Sequence, residues 1–195
     1  MIHTYIPYSN TDNITDLGTA YNNIMKYIST DDWVCFLDHD AMFTTTNWYL
    51  QLNEIIKNTN YGLLTCMTNR IGNADQKFNV IDENNHDISY HRMIGKQCQE
   101  QFNLNITPAR NTAPNLISGV LMLLSKKTWE TVGGFQPGFL GVDNCMHESC
   151  LEHNINVGIM NGVYVYHWYR GDGNTEHINI ANSMNVNPWL KKHNK

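Results

Sequence analysis

The chain has 195 residues, of which 42% are hydrophobic and 11% aromatic, and its formal net charge is −5. This composition excludes a disordered chain and predicts one domain over residues 1–195, and the negative charge excludes a general attraction for nucleic acid. The longest apolar run, Leu116–Leu124, is too short to span a membrane, and Met1–Asn10 lacks the pattern of a secretory signal. Five cysteines without a regular framework favour reduced thiols, so we expect a cytoplasmic protein.

The first half of the chain alternates short strands with helices. Apolar residues at helical spacing follow Asp16, which predicts a helix over Asp16–Ser29 with Asp16 near its cap. Thr46 is predicted to cap a second helix, and Met67–Asn85 has no clear period and is predicted to be a loop. Apolar runs predict three strands, at Ile2–Tyr8, Trp33–Leu37 and Tyr61–Cys66.

The second half continues this alternation. Ser125 is predicted to cap a short helix, and Gly133 and Gly134 to turn the chain after it. We predict helices at Asp87–Gln101, Lys126–Val132 and Asp143–His153, and strands at Asn115–Leu124, Val157–Met160 and Val163–His167. Strands that alternate with helices predict an α/β fold, with a mainly parallel central sheet flanked by helices.

The strongest functional signal is Asp38-His39-Asp40, which directly follows an apolar strand. Ligands bind outside the carboxyl ends of strands in open α/β sheets, and side chains two residues apart in extended chain point the same way. Two carboxylates there form a hard oxygen site for Mn²⁺ or Mg²⁺, whose other positions would take a diphosphate. The alternative is an acidic, solvated turn.

The chain resembles the GT-A glycosyltransferases of family 2, because several of its motifs occur in the same order as in that family. They are Asp16-Leu-Gly18-Thr-Ala-Tyr-Asn22, the Asp38–Asp40 motif, Gly119 in Ile117-Ser-Gly119, Val132-Gly-Gly134-Phe135, Gly141-Val-Asp143 and His167. The resemblance covers roughly residues 2–170. It implies a single GT-A-like, Rossmann-like domain in which residues 2–40 bind nucleotide and metal and residues 115–170 form the acceptor and catalytic part.

The resemblance implies transfer of a sugar from a nucleotide-sugar, with a UDP-sugar favoured, to an acceptor hydroxyl. It implies Asp38, Asp40 and His167 as the ligands of Mn²⁺ or Mg²⁺, and imidazole suits Mn²⁺. An inverting transfer needs one carboxylate to deprotonate the acceptor, and the resemblance gives that role to Asp143. The acceptor stays open between a glycan, a protein, a lipid-linked sugar and a modified nucleobase.

The resemblance also implies substrate contacts. Arg70 follows a strand and could pair with a diphosphate or with a sugar hydroxyl, and the alternative is a plain surface arginine. The expected donor-binding residues are Pro7, Tyr8, Asp16, Gly18, Asn22, His39, Arg70 and Arg170. The expected acceptor or sugar contacts are Gly119, Gly134 and Phe135.

The chain departs from the family pattern in two places. A strand that ends in an acidic turn is missing before the helix at Asp16, so base contacts would have to come from Ile6–Asn10 and Asp16. The usual Glu-Asp pair of the catalytic loop is replaced by Val142-Asp143-Asn144, which retains one acid.

Other interpretations use the same residues. A non-catalytic nucleotide-sugar-binding module or a nucleotide-sugar hydrolase would have the same site, Asp143 could cap a helix, and His167 could be structural. Four Cys and His residues of the predicted helix Asp143–His153 are spaced like zinc ligands, but side chains on one helix cannot all face one ion. These residues are Cys145, His147, Cys150 and His153.

Overall fold

The computed structural model describes residues 1–7, 16–78, 81–112, 115–168 and 187–193. The strands are β1 (Ile2–Tyr5), β2 (Trp33–Leu37), β3 (Ala41–Phe43), β4 (Tyr61–Thr68), β5 (Ile106–Pro108), β6 (Leu121–Ser125) and β7 (Asn156–His167). The helices are α1 (Leu17–Met25), α2 (Trp48–Lys57), α3 (Ile88–Phe102), α4 (Lys126–Val132), α5 (Val142–Glu152) and α6 (Pro188–His193), with a 3₁₀ turn at Ala74–Gln76. Within these ranges, no helix combines the length and the apolar character that crossing a membrane requires.

The strands form one open, mixed sheet of seven strands in the order β1-β2-β6-β4-β7-β3, with β5 also paired to β7. The α/β class is confirmed, but the prediction of a mainly parallel sheet is wrong. Only β1–β2 and β4–β7 are parallel, whereas β6 runs antiparallel to both of its neighbours and β3 and β5 run antiparallel to β7. A buried apolar run has the same pattern in either orientation, so the sequence did not distinguish them.

Alternate residues of β2 enter the core on opposite faces of the sheet. Phe36 packs in the layer that contains Tyr21 of α1 and Met146 of α5. Leu37 packs in the layer that contains Leu52 of α2. Helices therefore cover both faces, and β2 is buried between them up to the residue before Asp38.

Side-chain capping explains where two predicted helices begin. The Asp16 carboxylate accepts a hydrogen bond from the Thr19 N–H, and the Ser125 hydroxyl accepts one from the Thr128 N–H, which confirms both predicted caps. The predicted cap at Thr46 is wrong. Helix α2 begins after Asn47, whose side chain makes no capping hydrogen bond. The first residue of the helix, Trp48, stacks its ring on that of Phe43.

The predicted strand at Asn115–Leu124 is also wrong in its first half. The Ser118 N–H donates to the Gln76 side chain and the Gly119 N–H donates to the Asp143 carboxylate, so these groups are not available for a strand ladder. The regular strand, β6, starts at Leu121. The side chains that bind this loop come from distant segments, which no local pattern reveals.

The two short strands predicted near the end of the sheet form one strand, β7, with a bulge. In the pairing with β4, Cys66 lies opposite Met160 and Met67 lies opposite Tyr164, so residues 161–163 are skipped. The Gln51 amide donates to the Gly162 carbonyl at 2.8 Å. A Cβ atom on Gly162 would lie 2.0 Å from the Asn103 carbonyl oxygen, so this close approach requires glycine.

Candidate functional site

Two acidic side chains and one imidazole meet where β2 and β7 end. Asp38 follows β2, Asp40 directly precedes β3, and His167 is the last residue of β7, with Ala41 as its partner across the β3–β7 pair. The His167 Nε2 atom lies 3.3 Å from an oxygen of Asp40 and 3.9 Å from an oxygen of Asp38. One ligand atom from each residue lies within 4.8 Å of the others, and no other group of three such residues is found in the described part of the chain.

Asn69 and Arg70 fix the orientation of His167. The buried Asn69 amide accepts a hydrogen bond from the His167 N–H at 2.8 Å and donates to the His167 carbonyl at 3.1 Å. The His167 Nδ1 atom lies 2.8 Å from the Arg70 carbonyl, which only accepts, so Nδ1 carries the proton. This contact turns Nε2 toward the carboxylates, as in metal sites where the second imidazole nitrogen binds a carbonyl.

Burial and mutual repulsion alter the ionisation of this cluster. Burial raises the pKa of Asp38 to about 7, with the charges of Asp40 and Asp143 acting in the same direction and His167 against it. Burial lowers the pKa of His167, but its hydrogen bond to Asp40 and the nearby carboxylates outweigh burial and raise it above its ordinary value. In Asp40, burial is likewise outweighed by His167, so its pKa is lowered. The cluster therefore holds protons near neutral pH that a cation would displace.

Asp143 lies in the first turn of α5. Its carboxylate accepts hydrogen bonds from the Gly119 N–H at 2.7 Å and from the Asn144 N–H at 2.9 Å. Burial raises the pKa of Asp143, and these two bonds only partly oppose it. Gly141, with φ at +85°, occupies the N-cap position, so Asp143 is not the capping residue that the alternative interpretation required.

A cavity of about 340 Å³ joins the cluster to Asp143. A Cβ atom on Gly119 would lie 3.0 Å from the Asp143 Cβ, which explains why glycine allows Asp143 to approach β6. Within the described residues the cavity is lined by Asp38, Ile71, Gly72, Ser118, Gly119, Val120, Leu140, Gly141, Asp143, Asn144, His167, Asn187 and Trp189. The cavity thus brings together Gly119, the predicted base Asp143 and two of the predicted metal ligands, Asp38 and His167, and Asp40 lies beside these two ligands.

A second group of predicted site residues forms a junction that we call the α1 junction, defined by Gly18, Asn22, Gly134 and Phe135. The Asn22 oxygen accepts hydrogen bonds from the Trp129 Nε1–H and the Phe135 N–H, and its amide nitrogen donates to the Phe135 carbonyl, all at 2.8 Å. The Phe135 ring packs on Tyr21 in the core. None of the four residues lines the cavity, and their contacts hold α1 to the loop after α4.

The remaining predicted donor contacts lie in different places. Asp16 accepts hydrogen bonds from the N–H groups of Thr19 and Gly138, and Pro7 is buried beyond the end of β1. His39 is exposed in the turn beside Asp40, and Arg70 follows β4 next to His167. Tyr8 and Arg170 lie outside the described residues.

The zinc alternative gains no geometric support. The His147 Nδ1 atom accepts a hydrogen bond from the Ile117 N–H at 3.1 Å, and burial lowers the pKa of His147 to about 4. In the described ranges, the four residues of α5 and its end do not form a group of ligand atoms.

Several residues that build the site were not predicted. Asn69 orients His167, and Ser118, Asn144, Asn187 and Trp189 line the cavity. Asn69 stands directly after β4 and before Arg70, and this position at a strand end was its one available signal. No protein-family model matches this chain, and a search of curated proteins finds no relative.

Proposed function

We propose that this protein is a metal-dependent glycosyltransferase, which moves a sugar from a nucleotide-sugar, with a UDP-sugar favoured, to an acceptor hydroxyl. One observation carries the proposal: Asp38 and His167, two members of the Asp38, Asp40 and His167 cluster, line the same cavity as Asp143. Transfer from a nucleotide-sugar needs a site for the diphosphate and a base for the acceptor, and this cavity offers a candidate for each.

The donor set of the cluster fits a divalent cation. Two carboxylates and one imidazole suit Mn²⁺, and the carboxylates also suit Mg²⁺. Asp38, Asp40 and His167 would hold the ion, with the Arg70 carbonyl keeping the proton of His167 on Nδ1. A bound divalent cation would neutralise charge that develops on a diphosphate leaving group.

Asp143 would act as the general base. The acceptor hydroxyl gives its proton to the carboxylate while its oxygen forms a bond to the anomeric carbon, and the bond from that carbon to the diphosphate oxygen breaks with its electron pair leaving on the nucleoside diphosphate. Each carboxylate oxygen of Asp143 accepts one backbone N–H, which leaves acceptor capacity on both. Attack opposite to the leaving group inverts the anomeric carbon, and one base is sufficient.

Thermal unfolding with nucleoside diphosphates tests the donor and the metal together. We expect UDP to raise Tm in the presence of Mn²⁺ and not with EDTA, and a ligand at 100 times its Kd adds about 2.7 kcal/mol to the free energy of unfolding. ADP, GDP and CDP are the matched ligands. Equal shifts with and without Mn²⁺ would contradict the proposal.

Product analysis then separates transfer from hydrolysis. Incubation with a UDP-sugar and a mixture of neutral saccharides should give a glycoside together with UDP. Release of free sugar alone, at the same rate with and without saccharides, would identify a hydrolase in place of a transferase.

A further inference from the structure

The lining of the cavity around Asp143 bears on the nature of the acceptor, and this inference rests on the proposed function. Two of the lining side chains are the carboxylates Asp38 and Asp143, and no Lys or Arg side chain lines the cavity in the described residues. The proposed cation at Asp38 would pair with the diphosphate of the donor, so a phosphorylated acceptor would bring a further anion next to the Asp143 carboxylate. The charge distribution therefore favours a neutral acceptor over a lipid diphosphate or a nucleic acid.

The uncharged part of the lining combines an aromatic ring with short polar side chains. Trp189 and Leu140 supply apolar surface, and Ser118, Asn144 and Asn187 supply a hydroxyl and two amides. A pyranose matches both properties, since one face of the ring carries C–H groups and its rim carries hydroxyls that donate and accept. The Asn144 amide nitrogen donates to the Ile117 carbonyl and the Asn187 oxygen accepts from the Leu190 N–H, so these amides offer chiefly an acceptor oxygen (Asn144) and a donor N–H (Asn187) to such hydroxyls.

Trp189 is held in place by contacts on the side of α5. Its Nε1–H donates to the Glu148 carboxylate at 3.3 Å, and its ring lies 4.4 Å from the His193 ring, between centroids. A Cβ atom on Gly141 would lie 2.5 Å from the Trp189 Cβ, so α6 packs directly on the N-cap of α5. Because Asp143 stands two residues after Gly141, this contact fixes Trp189 relative to Asp143.

Glu148 connects α6 to α5 through several partners. Besides Trp189, its carboxylate pairs with Lys192 Nζ at 3.0 Å and with His193 Nε2 at 2.8 Å. Burial alone would raise the pKa of Glu148, but the hydrogen bonds from Lys192 and His193 lower it, so the carboxylate stays charged. Glu148 does not line the cavity, so its effect on a ligand would be exerted through Trp189.

We propose that the acceptor is a neutral saccharide whose terminal pyranose ring packs on Trp189 beside Asp143. Trp189 is the specificity-determining residue of this subsite, and Glu148 is a positioning residue. An aromatic ring that is already fixed costs little conformational entropy when a ligand packs on it, which is why tryptophan suits this role.

The test measures binding of methyl β-D-glucopyranoside, methyl β-D-galactopyranoside and methyl α-D-mannopyranoside to the full chain with Mn²⁺ and UDP, by saturation-transfer NMR titration. Glucose 1-phosphate and a serine-containing peptide are the anionic and protein-like probes. We expect at least one pyranoside to saturate the protein. Tighter binding of glucose 1-phosphate or of the peptide would overturn the inference.

Variants then locate the subsite. Trp189→Leu keeps apolar bulk without an aromatic face and should weaken pyranoside binding about tenfold, whereas Trp189→Phe should retain most of it, and both should bind UDP with Mn²⁺ as the wild type does. Glu148→Gln should weaken pyranoside binding severalfold. Glu152→Gln is the matched control, because Glu152 also pairs with Lys192 while the Trp189 Nε1–H donates to Glu148, so it should change nothing.

Different results would contradict the proposed function and the proposed saccharide subsite. If wild-type protein does not bind UDP with Mn²⁺, the proposed function is wrong. If it binds UDP with Mn²⁺ but no pyranoside, or if Trp189→Leu binds the pyranosides as the wild type does, the saccharide subsite is wrong and the proposed function stands.

Discussion

The α1 junction and the Asp38–Asp40–His167 cluster both carry residues of the same family resemblance, yet they are built in opposite ways. At the α1 junction every polar atom of the Asn22 side chain has a protein partner. In the cluster, two carboxylates lie close together, and burial with repulsion raises the pKa of Asp38 to about 7. Polar groups that satisfy one another serve the fold, whereas acidic groups held together at a cost could hold a cation.

The largest expected effect concerns Asp143. Asp143→Asn removes the base but keeps the side-chain size, so turnover should fall by roughly 10²–10⁴-fold while Kd for UDP with Mn²⁺ stays unchanged. Glu152→Gln, a change of an exposed acid to its amide at the other end of the same helix, is the matched control and should leave turnover unchanged. Steady-state rates and Tm of both variants are the measurements. An active Asp143→Asn enzyme would leave the cavity without its proposed base.

The next effect concerns the metal. Asp40→Asn removes one anionic ligand, and Mn²⁺ affinity should fall by about 10- to 100-fold or more, since even residues that only orient ligands have effects of this size. Isothermal titration or Mn²⁺ electron paramagnetic resonance measures it. Asp31→Asn, at an exposed position before β2, is the control and should bind Mn²⁺ normally. Unchanged affinity in Asp40→Asn would show that the cluster is not the metal site.

The third prediction concerns the stability that the α1 junction gives to the fold. Asn22→Ala leaves the Trp129 Nε1–H and the Phe135 N–H without their acceptor and should lower the free energy of unfolding by about 2–4 kcal/mol. Urea denaturation measures this loss, and Mn²⁺ affinity should not change. The exposed neighbour provides the control: Asn23→Ala should stay within about 0.5 kcal/mol of the wild type. A stable Asn22→Ala protein that no longer binds UDP would instead assign Asn22 to the donor site.

The smallest effect is a pH dependence. Because the pKa of Asp38 is about 7 and that of His167 is raised, the metal-free cluster holds protons at pH 6 that Mn²⁺ must displace. Mn²⁺ affinity should therefore rise by about tenfold between pH 6 and 8 through loss of the Asp38 proton, and then level off. Titration calorimetry in two buffers of different ionisation enthalpy counts the protons. A flat profile would mean that Asp38 is already ionised in the metal-free protein.

Features encoded by neighbouring residues were predicted well from the sequence. The strand Trp33–Leu37 and the caps at Asp16 and Ser125 follow from apolar runs and from side chains that bond within three residues. Three features were not predicted, because they depend on which segments pair. They are the direction of the strands, the three-residue strands β3 and β5, and the fact that β7 is one strand and not two. No periodicity can be read in three residues.

In the candidate site, too, the features encoded by neighbouring residues could be predicted and those that depend on distant contacts could not. Asp38 and Asp40 stand beside each other in the sequence and could be singled out from it, whereas His167 was tied to them only through the family resemblance. Asn69 acts on His167 across 98 residues, and Trp189 is held by Glu148 across 41, so neither role was visible in a local pattern. Long-range contacts such as these have no signature in a single sequence.

The bulge in β7 decides which way His167 faces. Before it, Val157 and Ile159 point into the layer of α1 and α5; after it, Val163 and Val165 point into the layer of α2, although all four have odd numbers. Side chains alternate along a strand, so the skipping of three residues, an odd number, reverses the alternation. If β7 continued without the bulge, residue 161 would lie opposite Met67, so His167 would lie three positions, or roughly 10 Å, further along the strand and its imidazole would face the opposite side of the sheet. The place of the third proposed metal ligand is thus set by the length of a strand irregularity as well as by the identity of residue 167.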